Sequence, residues 1–296
     1  MEYIRDYGNY PLRCGSFWRS FCYNEKNSNV EVLDVLKLGM KCSYHPDQLY
    51  DRLKYRPEIL ELHLLEDDLF GEKRKQLESA ISMLVSQGIE VYLHHPVKYR
   101  GRFLNIIHEQ KEDYLFYHLS TMILAEICHT YTVKCVIHPQ YLPSNTSVIN
   151  QENRDRLVNE ISRVLSYGKD VFLWENSIYG LFTAENPHWF EDIVQPLNLP
   201  LAYDISHAFI SFKGDNGLLL EQIQKLAPCI RYFHVVDSEG QKHDGLPLGK
   251  GKVDWRPIIP YLETRPYIYE ITLADPADAA EMYNSHVYLL HLSEQH

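Results

Sequence analysis

Eight short apolar runs, separated by stretches with helical character, govern what this chain can fold into. The runs that read as strands are LKLGMKCS (36–43), EILELHL (58–64), IEVYLHH (89–95) and VKCVIHP (133–139). They continue with DVFLWEN (170–176), PLAYD (200–204), IRYFHVVD (230–237) and PYIYEI (266–271). In GEKRKQLESAISMLVSQG, Leu77, Ile81, Leu84 and Val85 share one helical face and Gly88 marks the stop. In NQENRDRLVNEISRVLSYG the face is Leu157, Ile161, Val164 and Leu165, with Gly168 as the stop. Strand followed by helix, repeated eight times, predicts an α/β fold in which a parallel sheet closes into a (β/α)8 TIM barrel. An open doubly wound sheet would carry GxGxxG after its first strand, and the sequence has none there.

One such barrel commonly takes about 250 residues, which suits a chain of 296. Residues 35–296 therefore read as a single barrel domain, and residues 1–34, rich in Tyr, Asn and Arg, as an extension that packs across one end. No apolar run is long enough to span a bilayer, and MEYIRDYGNY lacks the basic-then-apolar order of a signal peptide. Cys14, Cys22, Cys42, Cys128, Cys135 and Cys229 form no CxxC pair and read as reduced thiols. Together these features predict a cytoplasmic protein with no membrane partner. The formal net charge of −11 disfavours a nucleic-acid partner without excluding a local basic groove.

In a barrel of this kind the working side chains stand at the C-terminal ends of the strands. Strand three ends at His94 and His95, strand four at His138, and strand five at Glu175. Strand six gives Asp204 and then His207, strand seven His234, and strand eight Glu270. Successive members from His94 to Glu270 are separated by 44, 37, 29, 30 and 36 residues, each step one βα unit. Gathering carboxylates and imidazoles at one barrel mouth is prohibitively costly without a compensating cation. A divalent metal is the natural one, since carboxylate oxygen and neutral imidazole nitrogen are its usual ligands. Asp204 in LAYDISHAF then reads as one ligand of a site assembled from several strands.

The bland readings compete residue by residue. A lone strand-end His more often satisfies a loop carbonyl than a metal, and this alternative is strongest for His207 and for His243, which sits in a loop. His95 alternates to the face opposite His94, so His94 is the inward member. GLPLGKGK (245–252) is one residue short of phosphate-loop spacing and has no Ser or Thr after its Lys, so Gly249 and Gly251 are expected to permit a tight turn. His108 and His118 lie in a polar helical stretch and read as surface. Most of the 22 tyrosines read as core or surface packing, with some left to line a polyol pocket.

The segments HPQY, ENS, DISHAF, HVVDSEG, LPLGKGKVDW and YEI, in this order and at these strands, resemble the xylose isomerase-like TIM-barrel superfamily over roughly residues 35–290. That superfamily contains sugar isomerases and epimerases together with endonuclease IV. The resemblance to its ketose 3-epimerase and sugar-phosphate isomerase branch implies one divalent metal held by Glu175, Asp204, His234 and Glu270, with Mn2+ or Zn2+ favoured over Mg2+ or Co2+. It implies a carbohydrate substrate, Glu175 and Glu270 as the acid/base pair around a metal-stabilised enediolate, and His207 on a substrate hydroxyl. Dimers are common among the proteins this chain resembles, which makes a homodimer one option, and the sequence leaves the oligomeric state open.

The endonuclease IV branch implies a three-zinc cluster and phosphodiester hydrolysis. His94, His138 and Glu175 match its first zinc and the tetrad its second. The third would need His207 and an Asp-x-His, where this chain has His243 and Gly245. A two-metal phosphoester hydrolase sharing Glu175 lies between these readings, and a non-catalytic metal-binding barrel is the third class.

Overall fold

The computed structural model describes residues 36–141 and 148–295. The expected extension at residues 1–34 lies outside them. Eight parallel strands close a barrel: β1 Gly39–Cys42, β2 Ile59–His63, β3 Glu90–His94, β4 Lys134–Ile137, β5 Phe172–Glu175, β6 Leu201–Asp204, β7 Ile230–Val235 and β8 Tyr267–Tyr269. Each lies inside its predicted run. The barrel closes where β1 meets β8, with Met40 opposite Tyr269. A Cβ on Gly39 would collide with the Tyr267 carbonyl, so only glycine lets the first and last strands approach this closely.

Alternation along the strands sets two layers in the interior. Ile59, Tyr92, Val136, Leu173, Ala202, Tyr232 and Ile268, one from each of β2 to β8, form a separate buried apolar cluster. Tyr92 and Tyr232 stack across it with ring centroids 4.2 Å apart. Two residues further along every one of these strands comes a titratable group: Glu61, His94, His138, Glu175, Asp204, His234 and Glu270. The equivalent step from Gly39 on β1 reaches Lys41. Because the strands are parallel, all eight groups arrive at the same mouth. Residues of opposite parity, such as Leu60, Leu62, Leu93, Cys135 and Phe172, join the outer core beneath the helices.

Helix Gly71–Ser86 buries Leu77, Ile81 and Leu84, but Val85 is 41% exposed and sits beyond the packed stripe. Gly88, with φ of 80°, makes the expected left-handed turn after it. Helix Gln151–Gly168 buries Leu157, Ile161 and Val164 and half-buries Leu165. Its Gly168 is the last helical residue and has no left-handed backbone. A Cβ there would come within 2.9 Å of Val171 Cγ2 and 3.1 Å of His129 Cε1, so the glycine answers close packing and is not a stop signal. His118 is also not a surface residue: it is buried, with Nε2 3.1 Å from Glu160 Oε2 on the neighbouring helix. His108 is only half-buried and lies 3.2 Å from Asp113 Oδ2. No helix among the described residues is long and apolar enough to cross a membrane.

Candidate metal centre

The polar layer is built from strand ends that lock one another. Asn176, just after β5, donates from Nδ2 to the Asp204 carbonyl at 3.0 Å and accepts from the Asp204 amide at 2.8 Å. Asp204 then caps helix Ile205–Ser211, with Oδ1 accepting from the His207 amide at 2.7 Å and from the Ser206 hydroxyl at 2.9 Å. Its other oxygen, Oδ2, is buried without a hydrogen-bond partner. The Asp-x-x-His of LAYDISHAF is thus a helix cap that leaves one carboxylate oxygen uncommitted.

Two groups of ligating atoms converge, each with its members within 4.8 Å of one another: His94, His138 and Glu175, and Glu175, Asp204, His234 and Glu270. Glu175 belongs to both. Its Oε2 lies 3.2 Å from His94 Nε2 and 2.9 Å from His138 Nε2, while Oε1 lies 3.2 Å from His234 Nδ1. His94 bonds through Nδ1 to the His95 carbonyl at 2.9 Å, which leaves Nε2 to face the site. His234 Nδ1 also stands 2.6 Å from Glu270 Oε2 and 3.9 Å from Asp204 Oδ2. Glu270 Oε2, like Asp204 Oδ2, makes no hydrogen bond of good geometry. Three carboxylates and an imidazole nitrogen around one point, with Asp204 Oδ2 lacking any hydrogen bond, fit a divalent cation, which would offset their mutual repulsion and desolvation.

The electrostatics follow from this crowding. Burial would push the Glu175 carboxyl up, but His138 and His234 beside it hold it well below the usual carboxylate range. Burial acts the same way on Glu270, and Lys41 and His234 again win, holding it low. For His234, burial favours the neutral ring, yet Glu61, Glu270 and Glu175 raise it well above its ordinary value. Burial dominates at His138 and lowers it, as suits a neutral metal ligand.

His207 donates from Nδ1 to the Asn176 carbonyl at 2.8 Å, so its Nε2 is the ring nitrogen left to bond other groups. Its ring centroid is 5.0 Å from that of His243. Neither joins the two convergent groups found among the described residues. Both line a cavity of about 260 Å3 above the layer, with Lys41, His63, His94, Lys98, Tyr141 and Glu270. Tyr141 presents its ring edge-on to His138 at 5.0 Å, one of the tyrosines expected at a pocket. His95 points away from this cavity and bonds Ser120 Oγ at 2.8 Å. A larger cavity of about 420 Å3, among Tyr92, Lys134, Asp170, Pro200 and Arg231, brings together no cluster of ligating groups, so size does not choose the site.

The loop after β7 is not a phosphate cradle. It folds around buried Asp237, which accepts from the amides of Ser238, Gly249 and Val253 at 2.9, 2.9 and 3.2 Å. Gly249 takes φ of 80°, and a Cβ on Gly251 would collide with Asp237 Oδ1 and the Ser238 backbone.

Three groups escaped the strand-end reading: Lys41, Glu61 and His63. Lys41 pairs with Glu270 Oε1, Glu61 bonds His234, and His63 lines the cavity. The step of two from each inward apolar residue would have found the first two.

The family described as xylose isomerase-like TIM barrel matches residues 58–285. The chain belongs to that family. Among curated proteins, this xylose isomerase-like barrel is 24% identical over 230 residues to an uncharacterized protein of Methanocaldococcus jannaschii, covering 74% of this chain and 85% of the other. Among solved structures it is similar to a D-tagatose 3-epimerase-like protein, with TM-score 0.70, 18% identity, and 88% and 97% of the two chains covered. A Thermus thermophilus protein soaked with zinc chloride gives TM-score 0.65 at 18% identity, covering 88% and 98%. D-psicose 3-epimerase with D-tagatose from Clostridium cellulolyticum gives 0.62 at 14%, covering 88% and 99%.

Proposed function

We propose that this barrel is a divalent-metal-dependent isomerase or epimerase of a small sugar or sugar phosphate. The observation that carries the reading is the convergence of Glu175, Asp204, His234 and Glu270, with Asp204 Oδ2 left without a hydrogen bond, beneath a cavity of about 260 Å3. That volume lies just under the range of about 300–1,000 Å3 typical of drug-sized ligands, which is room for a monosaccharide. The neighbours named as ketose 3-epimerases support a ketose as substrate. Bound by the tetrad, Mn2+ or Zn2+ would supply Lewis-acid polarisation of a substrate carbonyl and charge stabilisation of the enediolate.

The protein's own part is proton transfer and orientation. Of Glu175 and Glu270, one would act as the ionised base that takes the proton beside the carbonyl. The other, protonated for that half of the cycle, would deliver its proton to the enediolate; the protonation states exchange with solvent before the next turnover. His207, which lines the cavity, would bond a substrate hydroxyl through Nε2. Glu175→Gln and Glu270→Gln should each lower solvent deuterium exchange into a ketose by about 100-fold or more while leaving the circular dichroism of the fold unchanged. Exchange at the wild-type rate in either variant overturns the two-carboxylate assignment.

A second reading is favoured by the separate group His94, His138 and Glu175. Two metals sharing Glu175 would suit hydrolysis of a small phosphoester. Elemental analysis of the purified protein separates the two: one equivalent supports the isomerase, two support the hydrolase.

A further inference from the structure

We propose that Glu61, on β2, is a positioning residue for the metal centre, fixing both the tautomer and the orientation of His234. The inference rests on the reading of Glu175, Asp204, His234 and Glu270 as metal ligands. Glu61 is fully buried, and its Oε2 lies 2.9 Å from His234 Nε2. A carboxylate there accepts Nε2–H, which leaves Nδ1 as the nitrogen turned toward the other three ligands. Nδ1 is the atom 3.2 Å from Glu175 Oε1 and 2.6 Å from Glu270 Oε2. A ring rotated about its Cβ–Cγ bond would give up both relationships together, so the bond to Glu61 selects one of two orientations.

Glu61 has two other polar neighbours: Lys41 on β1, whose charge it interacts with, and the hydroxyl of buried Tyr232 in the layer below, whose ionisation it opposes. Its Oε1 makes no hydrogen bond of good geometry, so the bond to His234 is its best-formed one. A buried ion pair is often no more stabilising than a pair of apolar side chains of similar size, so stability alone is a weak reason for Glu61 to face His234. Its use is to raise the basicity of the ligating imidazole and hold its plane, a role whose loss typically costs about 10–100-fold in metal affinity.

The test is titration of chelator-stripped protein with Mn2+ by calorimetry for wild type, Glu61→Gln and Glu61→Leu, alongside long-range 1H–15N spectra of the histidine rings. Glu61→Gln keeps the shape and can still accept Nε2–H, so it guards against a variant that simply fails to fold. The expected result is Mn2+ affinity lowered about tenfold in Glu61→Gln and up to about 100-fold in Glu61→Leu. In spectra of the protein loaded with diamagnetic Zn2+, His234 should show the Nε2–H tautomer in wild type and a mixture in Glu61→Leu, while metal-free Glu61→Gln still unfolds cooperatively in urea. Wild-type affinity and an unchanged His234 tautomer in folded variants overturn the proposal and leave the tetrad standing. Failure of the wild type to bind any Mn2+ overturns the tetrad and the proposal with it.

Discussion

Asp204 Oδ1 accepts from the His207 amide and the Ser206 hydroxyl while Oδ2 faces the ligand cluster, so mutation can separate capping from coordination. Asn caps a helix about as well as Asp does. Asp204→Asn should therefore shift unfolding free energy by less than about 1 kcal/mol while Mn2+ affinity falls by more than tenfold, readable in urea melts and calorimetry on the same sample. Equal loss of both would make Asp204 a structural residue. His95 supplies a pH prediction. Burial pulls its pKa down to about 3, whereas the unfolded ring titrates near about 6.5. Between those values only the unfolded chain takes the proton, so this group's stabilising contribution is complete above the window and declines as pH falls through it. Urea unfolding at pH 7.5 and pH 5 should show His95→Gln losing about 2 kcal/mol less than wild type over that interval. Parallel losses would refute the assignment. Residues at strand ends were legible because each follows an apolar run and precedes a loop. Lys41 and Glu61 were not, because a polar residue inside a short strand reads equally well as a solvent-facing one until the register closes the sheet.

At the scale of elements, the loop after β7 shows how far a motif can be read from spacing. Its glycines serve a turn, as their spacing implied, but the reason for Gly251 is the Asp237 carboxylate pressed against it. Gly251→Ala should cost about 1–3 kcal/mol, because overpacking of this kind has no flexible side chain to yield. A thermal melt indistinguishable from wild type would show that the loop can relax. The eight strands were legible because period-2 burial and the regular βα spacing agree with each other. The misread helical details share one cause, helix-to-helix packing. His118 lies against Glu160 and Gly168 beneath His129, and contacts between elements distant in sequence leave no periodic trace within either one. Val85 differs: the packed stripe of its helix is narrower than its hydrophobic face.

For the whole molecule, the barrel places an apolar plug under a layer of carboxylates, imidazoles and one ammonium, all fed from eight parallel strand ends. Metal bound to the layer would tie β5, β6, β7 and the end of β8 together and stabilise the folded state through mass action. At a free Mn2+ concentration 100 times its dissociation constant the gain is about 2.7 kcal/mol, so chelator should lower the melting temperature by several degrees. The measurement that bears most directly on the central claim is anomalous diffraction from crystals grown with Mn2+. The account predicts a peak about 2.0–2.3 Å from oxygens of Glu175, Asp204 and Glu270 and from His234 Nδ1. A saturated crystal with no peak among those four side chains, or with its metal bound elsewhere, would contradict it.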